Sequence, residues 1–203
     1  MDYILAIAIG YLLGCSNMAL YLSKWKKVDI RSAGSGNLGA SNAVILMGWG
    51  AGLLTGAHDF LKAIAAVLLA RNLFPDAEYA ATAAGVACVL GHIYPFYLKF
   101  KGGKGFAAYL GMTIALNWKF SLLVLLLVGI VTLVTDYIVA ATTTTIVIVP
   151  IGIGILAQSI PAALILLIAS LVIAWKHREN YVRMYHGTEI GFRSAGRGDH
   201  RVK

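Results

Sequence analysis

The chain has 203 residues, of which 59% are hydrophobic and 13% are charged, and its net charge is +8. Because a typical soluble domain carries about 25% charged residues, this composition excludes a soluble globular protein and indicates an integral membrane protein. We expect one transmembrane domain over residues 1–190 and a polar tail over residues 191–203, with no soluble domain beside it.

Seven apolar segments are candidates for membrane-spanning helices, since a crossing of the hydrocarbon core takes about 20 helical residues. The first lacks the basic start of a signal peptide and is too long for its apolar region, so we expect it to be retained. The sequence therefore predicts an all-α integral membrane protein, a polytopic bundle of seven transmembrane helices. The predicted crossings are residues 3–22, 48–70, 79–98, 105–117, 120–135, 138–156 and 162–176.

The distribution of basic residues predicts the orientation of this bundle. Of the 17 lysines and arginines, 14 follow the first, third or seventh crossing. Arg71 and Lys119 fall on the opposite side, and Lys62 lies within a crossing. Because positively charged residues concentrate on the cytoplasmic side of a membrane, we expect the N-terminus outside and the C-terminus in the cytoplasm.

A polar stretch, residues 23–47, follows the first crossing and is rich in glycine, serine and asparagine. A flexible linker would have a similar composition. The apolar residues Ile30, Leu38 and Val44 within it indicate instead a loop that packs on the bundle. Loops held in place by a rigid scaffold often carry functional residues, so we expect this one to do so.

The second crossing carries ionisable residues well inside an apolar run. Such groups are costly in a membrane and are usually functional. Asp59 and Lys62 are three residues apart and therefore lie on one face of the helix. Two interpretations stay open: an internal ion pair that only neutralises itself, or a pair that reaches the polar turn after the third crossing.

The third crossing ends in a glycine-rich turn with three lysines, Lys99, Lys101 and Lys104. Glycines would let backbone N–H groups point at an anion, and the lysines would neutralise its charge. The alternative is a basic loop that only determines topology. Topology requires charge but not a segment so short of side chains, so we predict a phosphate site at residues 101–105.

Two details refine this turn. It is not a nucleotide-binding P-loop, because no serine or threonine follows its lysine. We expect the next helix to begin at Gly103 or Lys104 and to direct its N-terminal N–H groups at the bound phosphate. His92, just before the turn, is interpreted as an interior histidine with satisfied hydrogen bonds.

The last crossing continues into a polar segment that contains His177, Asn180 and Arg183. Their spacing of three residues would place all of them on one face if the helix continues without a break. Cys15 and Cys88 lie inside predicted crossings and lack metal-ligand spacing, so neither a disulfide nor a metal site is predicted.

In the predicted topology three polar clusters share the cytoplasmic face: residues 31–42, 91–105 and 177–189. Their motifs are GSGNLGASN at residues 34–42, GHIYP with FKGGKG between residues 91 and 105, and HREN, Arg183 and GTE between residues 177 and 189. In this order and over nearly the whole chain, the motifs resemble those of the bacterial acyl-phosphate glycerol-3-phosphate acyltransferases, the PlsY family. Ser41 replaces the usual threonine, and Ala63 replaces the usual glycine.

The resemblance implies transfer of a fatty acyl group from acyl phosphate to the 1-hydroxyl of glycerol 3-phosphate, a step of phospholipid biosynthesis. The implied location is the bacterial inner membrane, with the active site facing the cytoplasm. The expected partners are the two substrates and membrane lipid, with no cofactor, no nucleic acid and no obligate protein partner.

The reaction needs a clamp for two phosphates, an oxyanion stabiliser and an acceptor for the hydroxyl proton. We assign the orientation of glycerol 3-phosphate to Ser35, His177 and Asn180, and supporting roles to Asp59, Lys62 and His92. Phosphate and substrate binding is assigned to Gly34, Gly36, Asn37, Gly39, Asn42, Lys101, Gly102, Gly103, Lys104, Arg183 and Glu189.

No histidine in the chain is followed five residues later by aspartate, so the base of the soluble-headed acyltransferases is missing. We therefore expect a phosphate oxygen of the donor to accept the proton, without a dedicated side-chain base. A rival mechanism uses Ser35 as a covalent acyl nucleophile.

The sequence argues against two other classes of protein. An anion transporter should show two related halves, and no internal repeat is apparent in the sequence. A structural scaffold leaves the glycine-rich turn unexplained.

Overall fold

Every regular element in the described part of this computed structural model, residues 1–196, is a helix, which confirms the predicted all-α class. Residues 197–203, most of the predicted tail, lie outside the described residues. The α-helices are α1 (Asp2–Cys15), α2 (Met18–Trp25), α3 (Ala40–Met47), α4 (Trp49–Leu73), α5 (Ala80–Ile93), α6 (Phe106–Leu116), α7 (Trp118–Thr135), α8 (Ile138–Leu156), α9 (Ile160–Lys176), α10 (Arg178–Tyr185) and α11 (Phe192–Gly196), and a short 3₁₀ helix spans Phe96–Leu98.

Within residues 1–196, five segments are long and apolar enough to cross a membrane. A sixth is obtained if α9 and α10, which are bent by 49° relative to each other, form one broken span. Helix α6 has 11 residues, about 16 Å at 1.5 Å per residue, which is short for a crossing. The count of seven crossings and their orientation therefore stay predictions. The five segments are Asp2–Trp25, Trp49–Leu73, Ala80–Leu98, Trp118–Thr135 and Ile138–Leu156.

The first predicted crossing corresponds to one candidate span but not to one continuous helix, because α1 and α2 are separated at Ser16 and Asn17. The side-chain oxygen of Asn17 caps α2 by accepting the N–H of Leu20 at 2.9 Å. Its amide nitrogen donates to the carbonyl of Leu38 at 3.0 Å. Asparagine is a preferred N-cap, so a capping residue inside the apolar run was the signal for this break.

The chain forms two compact units, residues 1–118 and the residues from Lys119 onward. In the first unit α1 packs closely against α5. Gly10 and Gly14 of α1 face Ala84 and Cys88 of α5, and a Cβ at either glycine would overlap the α5 backbone. Small residues four apart allow the backbones of membrane helices to approach each other.

In the second unit α8 and α9 pack against each other across a short connection. The threonine hydroxyls of residues 142–145 donate to carbonyls four residues earlier, which satisfies them within α8. Helix α11, in the first residues of the predicted tail, is attached to the α7–α8 connection. Phe192 N–H donates to the Asp136 carbonyl at 2.7 Å, and Arg193 N–H donates to the Asp136 carboxylate at 2.9 Å.

Candidate active site

The first polar cluster lies in the α2–α3 connection and the first turn of α3, and it is organised around the side chain of Asn42. The predicted loop over residues 23–47 is therefore shorter than expected, because its last eight residues form α3. Asn42 is fully buried, and its Oδ1 accepts the backbone N–H of Ser35 at 3.0 Å. Its Nδ2 lies between 3.0 and 3.3 Å from the carbonyl oxygens of Ile30, Ala33 and Asn37. The Asn42 amide thus closes the loop on itself.

Ser35 lies on the exposed surface of this loop, between two glycines. Gly34 has φ +60° and Gly36 has φ +64°, a left-handed conformation that side chains with a Cβ rarely adopt. A Cβ at Gly34 would also overlap Oδ1 of Asn42. The serine is therefore presented by a backbone turn whose shape depends on glycine at residue 34.

Charged residues at the start of the loop are exposed to solvent. The carboxylate of Asp29 accepts the backbone N–H of Arg31 at 3.1 Å. Hydrogen bonding to the Ser32 side chain, together with the Arg31 N–H, lowers the pKa of Asp29 from its usual value. Asp29 is therefore ionised at neutral pH and partly offsets the positive charge of Arg31.

The loop packs on the bundle, as its apolar residues predicted. Ile30 and Leu38 are buried in one apolar cluster with Leu20 of α2 and Met47 of α3. Leu98, from the segment before the glycine-rich turn, belongs to the same cluster. The structure thus brings the first two predicted polar clusters together at one end of the first unit.

The glycine-rich turn is docked on the C-terminal end of α5. The N–H of Gly102 donates to the carbonyl of Ile93 at 3.0 Å, and the N–H of Gly103 donates to the carbonyl of His92 at 3.1 Å. The prediction that these two N–H groups point at an anion is therefore wrong, because the end of α5 already uses them. Glycine is required at both positions because the turn lies very close to His92. A Cβ at Gly102 would overlap the His92 carbonyl, and one at Gly103 would overlap the His92 imidazole.

The lysines of the turn differ in exposure. Lys99 and Lys101 are exposed, whereas Lys104 is half-buried just before α6. Helix α6 begins at Phe106 with Gly105 as its N-cap, slightly later than predicted. The first N–H groups of a helix have no partner within it and carry partial positive charge. The N-terminus of α6 therefore adds to the positive potential of the lysines.

A buried polar network lies under the turn. The exposed fractions of Asp59, Lys62 and His92 are 2%, 7% and 3%. Lys62 Nζ lies 2.7 Å from the Ser16 carbonyl oxygen, 2.8 Å from Asp59 Oδ1 and 3.0 Å from His92 Nδ1. The predicted Asp59–Lys62 pair is thus confirmed, and His92 is an interior histidine as expected. The Ser16 carbonyl is a further partner of Lys62 that residue spacing did not indicate.

The third polar cluster lies in the second unit, where the predicted continuous helix is wrong. Helix α9 ends at Lys176, and α10 begins at Arg178 after a bend at His177. Nδ1 of the buried His177 is 2.9 Å from the carbonyl oxygen of Ile173. Because a carbonyl only accepts, Nδ1 carries the hydrogen, and in the neutral ring Nε2 is the accepting nitrogen.

Asn180 and Arg183 of α10 converge on the carboxylate of Glu189. Asn180 Nδ2 donates to Oε1 at 2.6 Å, and Arg183 Nε donates to Oε2 at 2.7 Å. Glu189 therefore accepts a hydrogen bond on each oxygen and ties the segment after α10 back to that helix. This arrangement depends on the turn at Gly187, which local spacing did not reveal.

These features define the class of protein: a polytopic helical membrane protein with a lysine-bearing turn and a packed serine-bearing loop at one end of its first unit. A family model described as glycerol-3-phosphate acyltransferase matches residues 4–187. The chain belongs to the glycerol-3-phosphate acyltransferase family, and the resemblance of its motifs is confirmed.

Relatives and solved structures agree with this assignment. A glycerol-3-phosphate acyltransferase of Rubrobacter xylanophilus is 36% identical over 96% of this chain and 98% of its own length. One of Mesorhizobium japonicum is 38% identical over 92% of this chain and 94% of its own length. A crystal structure of PlsY, an integral membrane glycerol 3-phosphate acyltransferase, in its glycerol 3-phosphate form has a TM-score of 0.89 and 31% identity, over 97% of this chain and 98% of that one. The lysophosphatidic acid form of PlsY has a TM-score of 0.84 and 30% identity, over 96% of this chain and 98% of that one.

Proposed function

We propose that this protein transfers a fatty acyl group from acyl phosphate to the 1-hydroxyl of glycerol 3-phosphate. The products are 1-acyl-glycerol 3-phosphate and phosphate. The observation that carries the proposal is the likeness of nearly the whole chain to a protein whose structures are described in a glycerol 3-phosphate form and a lysophosphatidic acid form. The proposed location is the bacterial inner membrane, with seven crossings, the N-terminus outside and the reaction on the cytoplasmic side.

The bond changes are balanced without a cofactor. The hydroxyl oxygen of glycerol 3-phosphate forms a bond to the acyl carbon, and the bond from that carbon to the phosphate oxygen breaks. The hydroxyl proton moves to an oxygen of the departing phosphate, which leaves as hydrogen phosphate. Because phosphate is already a good leaving group, no side chain needs to serve as a dedicated base.

Positive charge near the turn supports a role in phosphate binding. Lys101 and Lys104 supply ammonium groups, and the first turn of α6 adds N–H groups. Gly102 and Gly103 contribute by letting the turn lie close to α5, since their own N–H groups are used there. In the loop, Gly34, Gly36, Asn37, Gly39 and Asn42 shape the backbone that carries Ser35.

The chemistry of the third cluster suits the orientation of glycerol 3-phosphate. In neutral His177, Nε2 can accept a hydrogen bond from a substrate hydroxyl, because Nδ1 donates to the Ile173 carbonyl. The amide of Asn180 can bond a second polar atom of the substrate, and Glu189 and Arg183 hold that amide in place. Serine at residue 35 would act as a hydrogen-bonding group and not as a nucleophile.

The donor is tested with purified protein in detergent, supplied with glycerol 3-phosphate and either palmitoyl phosphate or palmitoyl-CoA. We expect phosphate release and 1-palmitoyl-glycerol 3-phosphate in equal amounts from palmitoyl phosphate, and no product from palmitoyl-CoA. Acyl transfer from palmitoyl-CoA alone would overturn the donor assignment. Uptake of phosphate into vesicles without acyl transfer would favour a transporter.

The proton acceptor is tested by kinetics of Ser35→Ala and His177→Ala over a range of pH. We expect both variants to lower kcat/KM while the shape of the pH profile is unchanged. Loss of one titrating limb in the histidine variant would identify His177 as a general base. Acylated Ser35 detected by mass spectrometry after a rapid quench would establish the covalent route.

A further inference from the structure

We propose that Lys62 and His92 are positioning residues that set the location of the glycine-rich turn during acyl transfer. The inference rests on the proposed role of that turn in phosphate binding. It goes beyond an internal ion pair, because the decisive contacts connect the pair to the turn.

The Lys62 ammonium is surrounded by polar atoms. The Ser16 carbonyl oxygen and Asp59 Oδ1 accept its hydrogen bonds, and His92 Nδ1 lies beside it, all within 3.0 Å. These atoms belong to the α1–α2 break, to α4 and to α5. A charged group inside a membrane protein is costly unless it is paired and hydrogen-bonded. The ammonium therefore joins three separate parts of the first unit at one point.

The Asp59–Lys62 pair also fixes the position of the His92 ring. Nδ1 of His92 lies 3.0 Å from Lys62 Nζ and 3.2 Å from Asp59 Oδ1, so both members of the pair meet the ring at this nitrogen. The opposite nitrogen, Nε2, is the atom that lies against Gly103. The pair thus holds the imidazole by its Nδ1 side and orients the opposite edge towards the turn.

His92 contacts the turn through its backbone and through its ring. Its carbonyl accepts the N–H of Gly103, and its imidazole occupies the space where a Cβ of Gly103 would lie. A shift of the ring would therefore move Gly103, and Lys104 follows directly in the chain. In this way the side chain of Lys62, buried in α4, controls the placement of a lysine proposed to bind phosphate.

The first experiment separates the network from a simple ion pair. In the double variant D59N/K62M both charges are removed, so no unpaired charge is left in the interior. If the pair only neutralises itself, this variant should keep wild-type kinetics. We expect instead that KM for glycerol 3-phosphate or for acyl phosphate rises about tenfold, with a smaller change in kcat.

The second experiment tests the contact between ring and turn, and it does not depend on whether the first variant folds. G103A places a methyl group where the His92 imidazole lies, and we expect kcat/KM to fall at least about tenfold. H92N retains a hydrogen-bonding atom near the position of Nδ1 but lacks the ring atoms that meet the methyl group. The double variant H92N/G103A should therefore be several-fold more active than G103A alone. Such a non-additive result is expected for residues in contact.

Gly129→Ala is the matched control, because a Cβ at Gly129 meets no atom within 4 Å. Wild-type KM values in D59N/K62M would overturn the proposal. It would also be overturned if the loss of kcat/KM in H92N/G103A equalled the combined losses of the two single variants. If wild-type protein fails to use acyl phosphate, the proposed donor fails. In that case the positioning inference is still tested, by measuring the affinity of each variant for glycerol 3-phosphate with calorimetry.

Discussion

The buried amide of Asn42 accepts the backbone N–H of Ser35 at 3.0 Å across seven residues of loop. The same side chain holds three carbonyls of the loop, so a single residue determines the conformation in which the serine is exposed. Substrate contact by Ser35 would therefore depend on a residue that itself faces the interior.

We expect Asn42→Ala to lower the free energy of unfolding by about 1–3 kcal/mol, the cost of leaving buried polar groups without partners. Acyl transfer should fall as well, because the loop loses its closing contacts. Thermal unfolding in detergent and the transfer assay measure the two effects. Asn72→Ala, at the exposed end of α4, is the control, and equal losses in both variants would contradict the argument.

Gly34 and Gly48 form a pair that separates backbone strain from steric overlap. Both have positive φ, but a Cβ at Gly34 would overlap Asn42 whereas a Cβ at Gly48 meets nothing within 4 Å. We expect Gly48→Ala to cost about 1–3 kcal/mol for its backbone conformation alone, because φ 88° and ψ 169° lie in a region that is essentially restricted to glycine. Gly34→Ala should cost more and should also reduce acyl transfer. Similar unfolding temperatures for the two variants would show that the Asn42 contact is unimportant.

Glu189 accepts short hydrogen bonds from Asn180 and Arg183, and Glu189→Gln should weaken both. We expect a loss of about 1.5 kcal/mol, the lower end for hydrogen bonds to charged groups, because Arg183 is partly exposed. Transfer should slow because Asn180 is held less firmly. Glu179 pairs with Arg178 at 3.6 Å on the surface, with exposed fractions of 69% and 50%, so Glu179→Gln should change neither property.

The close contact of α1 and α5 predicts a strong effect of a single methyl group. A Cβ at Gly14 would overlap the backbone at Cys88, and backbone cannot move as a flexible side chain can. We expect Gly14→Ala to cost about 1–3 kcal/mol through overpacking, seen as a lower unfolding temperature. Gly129→Ala, which places its methyl group in open space within α7, should leave that temperature unchanged or raise it slightly, because alanine favours a helix more than glycine does.

Several features of the site could be predicted from residue spacing. Asp59 and Lys62 were expected to meet because residues three apart share a helix face, and they lie 2.8 Å apart. Ile30 and Leu38 predicted a packed loop, and both are buried. These predictions succeeded because each depends on helix geometry or on the burial of apolar side chains.

Other features did not follow from residue spacing. The last predicted crossing was expected to continue without a break, but the chain bends at His177. Asn180 and Arg183 converge on one partner, Glu189, which lies beyond the turn at Gly187. The close packing of α1 on α5 was not predicted, although two glycines four residues apart in an apolar helix, Gly10 and Gly14, are a signal for it.

The sequence by itself determined the membrane class, the family and the identity of the polar clusters, because hydropathy and motif order are properties of the linear chain. Tertiary structure decided what the glycines at 102 and 103 do, since their N–H groups could face either an anion or the end of α5. Backbone hydrogen bonds to Ile93 and His92 resolved that choice. The physical reason is that a glycine permits many conformations, and the atoms that select one of them come from elsewhere in the fold.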